Sequence, residues 1–122
     1  MDVVLGLGNA PDSGQALEET VSRTAKTGDA LTIAILCDRT GTDPPQELRE
    51  RVEETLDEYA IESRIVELEG EPGPALTTYA ETEGFDRIVI GGGNRSPMGK
   101  IALGEVTEFV VLNADTSVTL IR

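Results

Sequence analysis

Residues 30–37 read Ala-Leu-Thr-Ile-Ala-Ile-Leu-Cys, an apolar run interrupted only by Thr32. A strand with water on one side alternates polar and apolar residues. A run that is apolar on both sides belongs inside a parallel sheet, with helices above and below. The pattern around it agrees. VVLGL at 3–7 is a first strand, and a helix over 14–27 joins it to the run at 30–37. Asp12 or Ser13 serves as that helix's N-cap, Gly28 closes it, and Leu17, Val21 and Ala25 recur four apart. Beyond the turn-rich connector DRTGTDPP (38–45), a helix over 45–59 is capped by Asp43, with Pro44 or Pro45 in its first turn. Leu48, Val52, Leu56 and Tyr59 form its apolar stripe, while its glutamates face water. The third strand, ESRIVEL at 62–68, alternates more and so lies nearer a sheet edge. EGEPG (69–73) ends it, and a helix over 74–83 buries Ala75, Leu76, Tyr79 and Ala80. The fourth strand is RIVI at 87–90, followed by a glycine-rich loop, a helix over 100–113 and a fifth strand, SVTLI, at 117–121.

Strand and helix alternate from end to end with no shift in composition, so the chain reads as one domain over residues 1–122. The expected class is α/β: a three-layer open sheet of five parallel strands in the order 3-2-1-4-5, with helices on both faces and right-handed crossovers. In such sheets ligands sit beyond the carboxyl ends of the strands, where the strand order reverses. That places the candidate site at the loops after the first and fourth strands.

Composition narrows the chemistry. The chain has 122 residues with 10 Lys+Arg against 23 Asp+Glu, a formal charge of −13. That charge argues against DNA, RNA or an anionic membrane as partner, since each needs a cationic footprint. Histidine is absent, which removes Ser-His-Asp and Cys-His catalysis and His-ligated zinc. The single cysteine, Cys37, cannot form an internal disulfide; it reads as a buried free thiol in a reducing, cytoplasmic setting. No apolar run approaches transmembrane length. Lys26 and Lys100 are the lysines; every other cationic residue is arginine. Many carboxylates and few lysines suggest adaptation to high salt. At 1 M salt the Debye length falls to about 3 Å and crowded carboxylates repel little.

The stretch GGGNRSPMGKIALGEV, residues 91–106, follows the fourth strand directly. Glycines there permit positive φ and close approach of a ligand to backbone N–H groups. A helix starting nearby points its positive end at the same place, which suits an anion. Arg95, Ser96 and Lys100 offer further donors. Two named phosphate motifs are absent. A Walker A loop needs four residues between Gly and Gly-Lys, then Ser or Thr; here five residues separate Gly93 from Gly99, and Ile101 follows Lys100. A dinucleotide fingerprint beginning at Gly6-Leu7-Gly8 would need glycine where Pro11 stands.

Layout and loop together resemble the universal stress protein family, small α/β domains related in fold to the adenine nucleotide alpha hydrolases. The likeness runs over nearly the whole chain, with a shorter connection between the second strand and second helix. The acidic, lysine-poor composition suggests a haloarchaeal-type member. In the family's nucleotide-binding branch the fourth strand is followed by Gly, two residues, Gly, nine residues, then Gly and Ser or Thr. Gly91 and Gly104 match the first and last glycines with spacing kept, and Arg95-Ser96 matches a common dipeptide. The resemblance implies a nucleotide crevice formed by Gly8, Asn9, Ile90, Gly91, Asn94, Arg95, Gly104, Glu105 and Val106. It also implies a homodimer paired antiparallel through the fifth strand, at Val118, Leu120 and Ile121.

Three departures bear on that crevice. Asn94 replaces the middle glycine; asparagine tolerates left-handed backbone, but its side chain occupies space beside a phosphate. Glu105 replaces the hydroxyl residue after the last glycine. A carboxylate about 4 Å from a phosphate charge is repelled by roughly 4 kcal/mol at an effective dielectric of about 20, a thousandfold in affinity. Gly8 stands where ATP-binding members carry an aspartate that contacts the nucleoside. Losing such a charge-assisted contact costs about 1.5–3 kcal/mol. The reading is therefore a non-enzymatic stress-response module whose pocket keeps its shape and loses its grip, with no cofactor expected. The alternative is an ATP-binding signalling protein that uses the Gly91–Glu105 loop for phosphates. No metal site and no catalytic residue is expected. His-rich or Ser-Gly-Gly signatures of related nucleotide-activating enzymes are missing from LGLGNAPDSG, residues 5–14.

Overall fold

The structure, a computed structural model, describes residues 1–8, 13–36, 46–91, 94–95, 101–102 and 105–121. For residues 13, 46, 47, 94, 95, 101, 102 and 105 the backbone alone is described. In chain order the elements are β1 (Asp2–Leu7), α1 (Ser13–Thr27), β2 (Ala30–Leu36), α2 (Gln46–Glu58), β3 (Arg64–Leu68), α3 (Pro72–Glu83) and β4 (Arg87–Gly91). After these come β5 (Asn94–Arg95), β6 (Ile101–Ala102), α4 (Glu105–Asn113) and β7 (Ser117–Ile121). The main sheet has five parallel strands in the order β3-β2-β1-β4-β7. Counting main-sheet strands alone, this is the 3-2-1-4-5 order expected. β5 and β6 form a separate two-stranded antiparallel pair.

Strand alternation sorts the core into two layers. Val3, Leu5 and Leu7 of β1 face α1 and α2, together with Leu31, Ile33, Val89 and Ile121; Leu17, Val21, Val52 and Leu56 close that layer from the helices. Val4 of β1 faces the opposite way, with Ala34, Ile88 and Ile90, against Leu76 and Ala80 of α3 and Val110 of α4. Gly6 shares the face of Val4. A Cβ there would lie 2.6 Å from Leu76 Cδ2, so the absent side chain is what lets α3 seat on the sheet.

The helix boundaries follow local chemistry. Gly28 takes φ of 75° and its N–H reaches the Thr24 carbonyl at 2.9 Å, ending α1 as anticipated. Gly84 does the same for α3, with φ of 72°. α3 begins at Pro72, two residues ahead of the expected start at 74. Proline suits the first helical position because its missing N–H has no intrahelical partner there.

Several expectations are corrected. Ala25 is exposed, and α1 instead buries Ala16, Leu17, Thr20, Val21 and Thr24. The threonines take part because a methyl-bearing side chain can lie against the sheet; Thr24 Oγ1 donates to the Thr20 carbonyl at 2.8 Å. Ala75 and Tyr79 are half-buried rather than buried. The third strand begins at Arg64 instead of 62, and Ser63 Oγ donates to the Leu31 carbonyl at 2.8 Å. The last helix starts at Glu105, not at 100, since residues 101–102 pair in extended form with residues 94–95. Cys37, the connector 38–45 and the proposed cap Asp12 lie outside the described residues.

Candidate functional site

The strand order fixes where a crevice can form. β1 is flanked by β2 on one side and β4 on the other; the chain leaves β1 toward β2 and leaves β4 the opposite way, toward β7. Gly6 pairs with Ile90, so the carboxyl ends of β1 and β4 stand side by side at the switch point. Gly8 follows the end of β1, and Gly91 closes β4. The chain leaves each of these ends toward a helix, α1 from Ser13 and α4 from Glu105. Two helix N-termini therefore belong to the same end of the sheet, an arrangement that attracts anions.

The expected residues divide by place. Gly8 lies partly exposed just past β1, and a Cβ built on it meets nothing within 4 Å among the described residues. Its φ is not in the left-handed range, so a larger residue there is neither crowded nor strained. Ile90 is 4% exposed, and its side chain packs in the α3–α4 layer of the core. Gly91 is half-buried at the end of β4. Asn94 and Arg95 form β5, which carries the chain back against Ile101–Ala102. Val106 is half-buried in the α3–α4 layer. Asn9, Ser96, Lys100 and Gly104 lie outside the described residues.

Glu105 opens α4. A carboxylate in the first turn of a helix interacts favourably with the macrodipole, typically by about 0.3–1 kcal/mol. The residue that replaces the expected hydroxyl thus occupies the positive helix end with a charge of its own.

Thr107, two residues on, is absent from the residues anticipated above. It is buried, and its Oγ1 donates to the Gly91 carbonyl at 2.8 Å. This hydrogen bond ties the first turn of α4 to the end of β4 across the whole glycine-rich segment. A threonine early in a helix otherwise lined by Phe109, Val110 and Val111 was the available signal. Its partner, a strand-end carbonyl 16 residues away, could be known only from the fold.

At the fifth main-sheet strand, burial separates the three edge residues. Ile121 is 6% exposed and belongs to the α1–α2 layer. Val118 is half-buried against the α3–α4 layer, and Leu120 is 37% exposed. Only Leu120 and the far backbone edge of β7 remain open. Ile121 is removed from the edge because successive strand residues face opposite sides.

Among the described residues no helix is long and apolar enough to cross a membrane, and no cluster of metal-ligating side chains occurs.

The molecule is an open, doubly wound α/β sheet in which the carboxyl ends of β1 and β4 stand together at the switch point, where ligands sit in such sheets. The sequence pattern of the universal stress protein family matches residues 1–122, and the chain belongs to that family. A universal stress protein of Methanocaldococcus jannaschii is 30% identical over 77 residues, 63% of this chain and 45% of the relative. The chain thus spans less than half the length of that relative. The fold is also that of a universal stress protein from Archaeoglobus fulgidus, with a TM-score of 0.79, 20% identity and coverage of 100% and 98% of the two chains. A universal stress protein solved in complex with cAMP is similar at a TM-score of 0.76, 18% identity and 100% and 97% coverage.

Proposed function

We propose that this chain is a single universal stress protein domain acting as a dimeric, non-enzymatic stress-response module, cytoplasmic and adapted to high salt, whose nucleotide pocket is degenerate. The observation that carries the reading is the pair of residues flanking the switch point. Among the described residues nothing lies within 4 Å of a Cβ at Gly8, where a nucleoside-binding side chain would stand, and Glu105, an acid, is the first residue of α4. Both changes remove attraction for a triphosphate.

Calorimetric titration with Mg·ATP and with cAMP, in about 0.15 M salt where the Debye length is about 8 Å, tests it. No heat is expected from Mg·ATP up to millimolar concentration. Near-stoichiometric heat would replace this reading with the second one, an ATP-binding signalling protein that holds phosphates on the 91–105 loop. The cAMP complex of a structural neighbour favours that second reading.

The dimer rests on β7. It is paired on one side by β4 and, among the described residues, no strand pairs with the other; such an edge can accept a second copy. Antiparallel pairing about a two-fold axis would close both edges at once. In sedimentation velocity, wild-type protein is expected to run as a dimer and Leu120→Glu as a monomer of unchanged fold. A wild-type monomer at about 100 µM, roughly 5.5 kcal/mol of association free energy, would remove this part of the proposal.

A further inference from the structure

Away from the crevice, α1 and strands β1, β4 and β7 enclose a small groove on the α1–α2 face of the sheet. Val3, Val89 and Ile121 form its apolar floor; Thr20, Arg23 and Arg87 supply its donors. Its internal volume is about 30 Å³, room for one water or one monatomic ion.

Two independent observations point to an occupant. Thr20 is 5% exposed, and its Oγ1 has no hydrogen-bond partner among the described residues. Buried hydroxyls are almost always satisfied, and an orphan in a native fold calls for a missing partner. Arg23 and Arg87 likewise make no ion pair or hydrogen bond among the described residues. Arg23 is exposed and Arg87 half-buried, so both guanidiniums are available at the rim. Two acids, Glu19 and Asp29, share the lining and have partners of their own. Glu19 accepts from Gln15 Nε2 at 3.2 Å. Asp29 accepts from Thr27 Oγ1 at 2.9 Å and stands 3.5 Å from the Met1 amino group.

We propose that this groove is a halide site, binding chloride with Thr20 Oγ1 as its buried donor and Arg23 and Arg87 as its cationic partners. Phosphate, sulfate and carboxylates exceed a one-atom volume. Water would satisfy the hydroxyl but form no ion pair with the half-buried Arg87.

Bromide distinguishes the two occupants. Crystals soaked in sodium bromide are expected to show an anomalous peak beside Thr20 Oγ1. In thermal unfolding at constant ionic strength, replacing sodium gluconate by sodium bromide is expected to raise Tm with saturation. Thr20→Val keeps the shape and deletes the donor. Its half-saturation should rise by about tenfold or more, the loss of a hydrogen bond to a charged group. Arg87→Gln, at a half-buried rim position, should weaken bromide similarly, and it carries the test if Thr20→Val does not fold. A peak without anomalous signal, or a bromide response unchanged in both variants, overturns the proposal in favour of a structural water.

Discussion

The double variant Gly8→Asp/Glu105→Ser is expected to bind Mg·ATP about a thousandfold or more tighter than the wild-type chain. The two changes act on different parts of the ligand. Replacing Glu105 removes a like charge from the start of α4, worth roughly 4 kcal/mol at 4 Å and an effective dielectric of about 20. It also installs a hydroxyl donor where the family's nucleotide-binding branch has one. The aspartate at position 8 restores a charge-assisted contact worth about 1.5–3 kcal/mol. Among the described residues nothing lies within 4 Å of a Cβ at Gly8, and its backbone is not left-handed. Loss of the first-turn carboxylate costs about 0.3–1 kcal/mol of helix stabilisation, so Tm should fall slightly while affinity rises. Starting from millimolar, the variant should reach about micromolar Kd in calorimetry near 0.15 M salt. A folded double variant that binds no better than its parent would show that the crevice is shut for some other reason, and the account of its departures would fail.

The second large effect concerns how α4 is held. Gly73 lies in the first turn of α3, and a Cβ there would stand 2.8 Å from Phe109 Cδ1 and 3.0 Å from Phe109 Cβ. The ring can turn, but Phe109 Cβ is fixed to the backbone of α4, so the helix itself must shift. Gly73→Ala is therefore expected to destabilise by about 1–3 kcal/mol, the range for overpacking a fitted contact. For a chain of this length that lowers Tm by about 3–6 °C for each kcal/mol. The sign is informative. Without the α3–α4 contact, alanine would stabilise a helix over glycine by about 0.5–1 kcal/mol. Differential scanning calorimetry settles the direction; a Tm at or above wild type would mean that the two helices do not meet as closely as described. Gly8→Ala is the matched control, with no neighbour to displace.

Most of the sheet could be read from the chain because its signals are local. The apolar run at 30–37 demands burial on both sides, and β2 lies between β1 and β3. Gly28 ends α1 by a single backbone angle. The turn after β4 was less legible. Ile101 and Ala102 are compatible with a helix continuing to Phe109, and only pairing with Asn94 and Arg95 holds them extended. Thr20 and Thr24 count as polar by composition, yet α1 buries both; position relative to the sheet, not residue type, decides that. The place of the switch point was legible from the strand pattern, which puts the carboxyl ends of β1 and β4 side by side. Thr107 was not, since its meaning lies in a carbonyl that folding brings to it.

That last contact has a mechanical consequence. α4 is nine residues long, about 13.5 Å at 1.5 Å per residue, and the chain passes from it almost at once into the outermost strand. With its first turn anchored to the neighbouring strand, the helix works as a short stiff lever whose far end carries the molecule's open flank. A tug on the anchor would therefore be felt at β7 and, in the dimer proposed above, at the seam it forms. Control of assembly from the glycine loop would then require no motion of the remaining four strands.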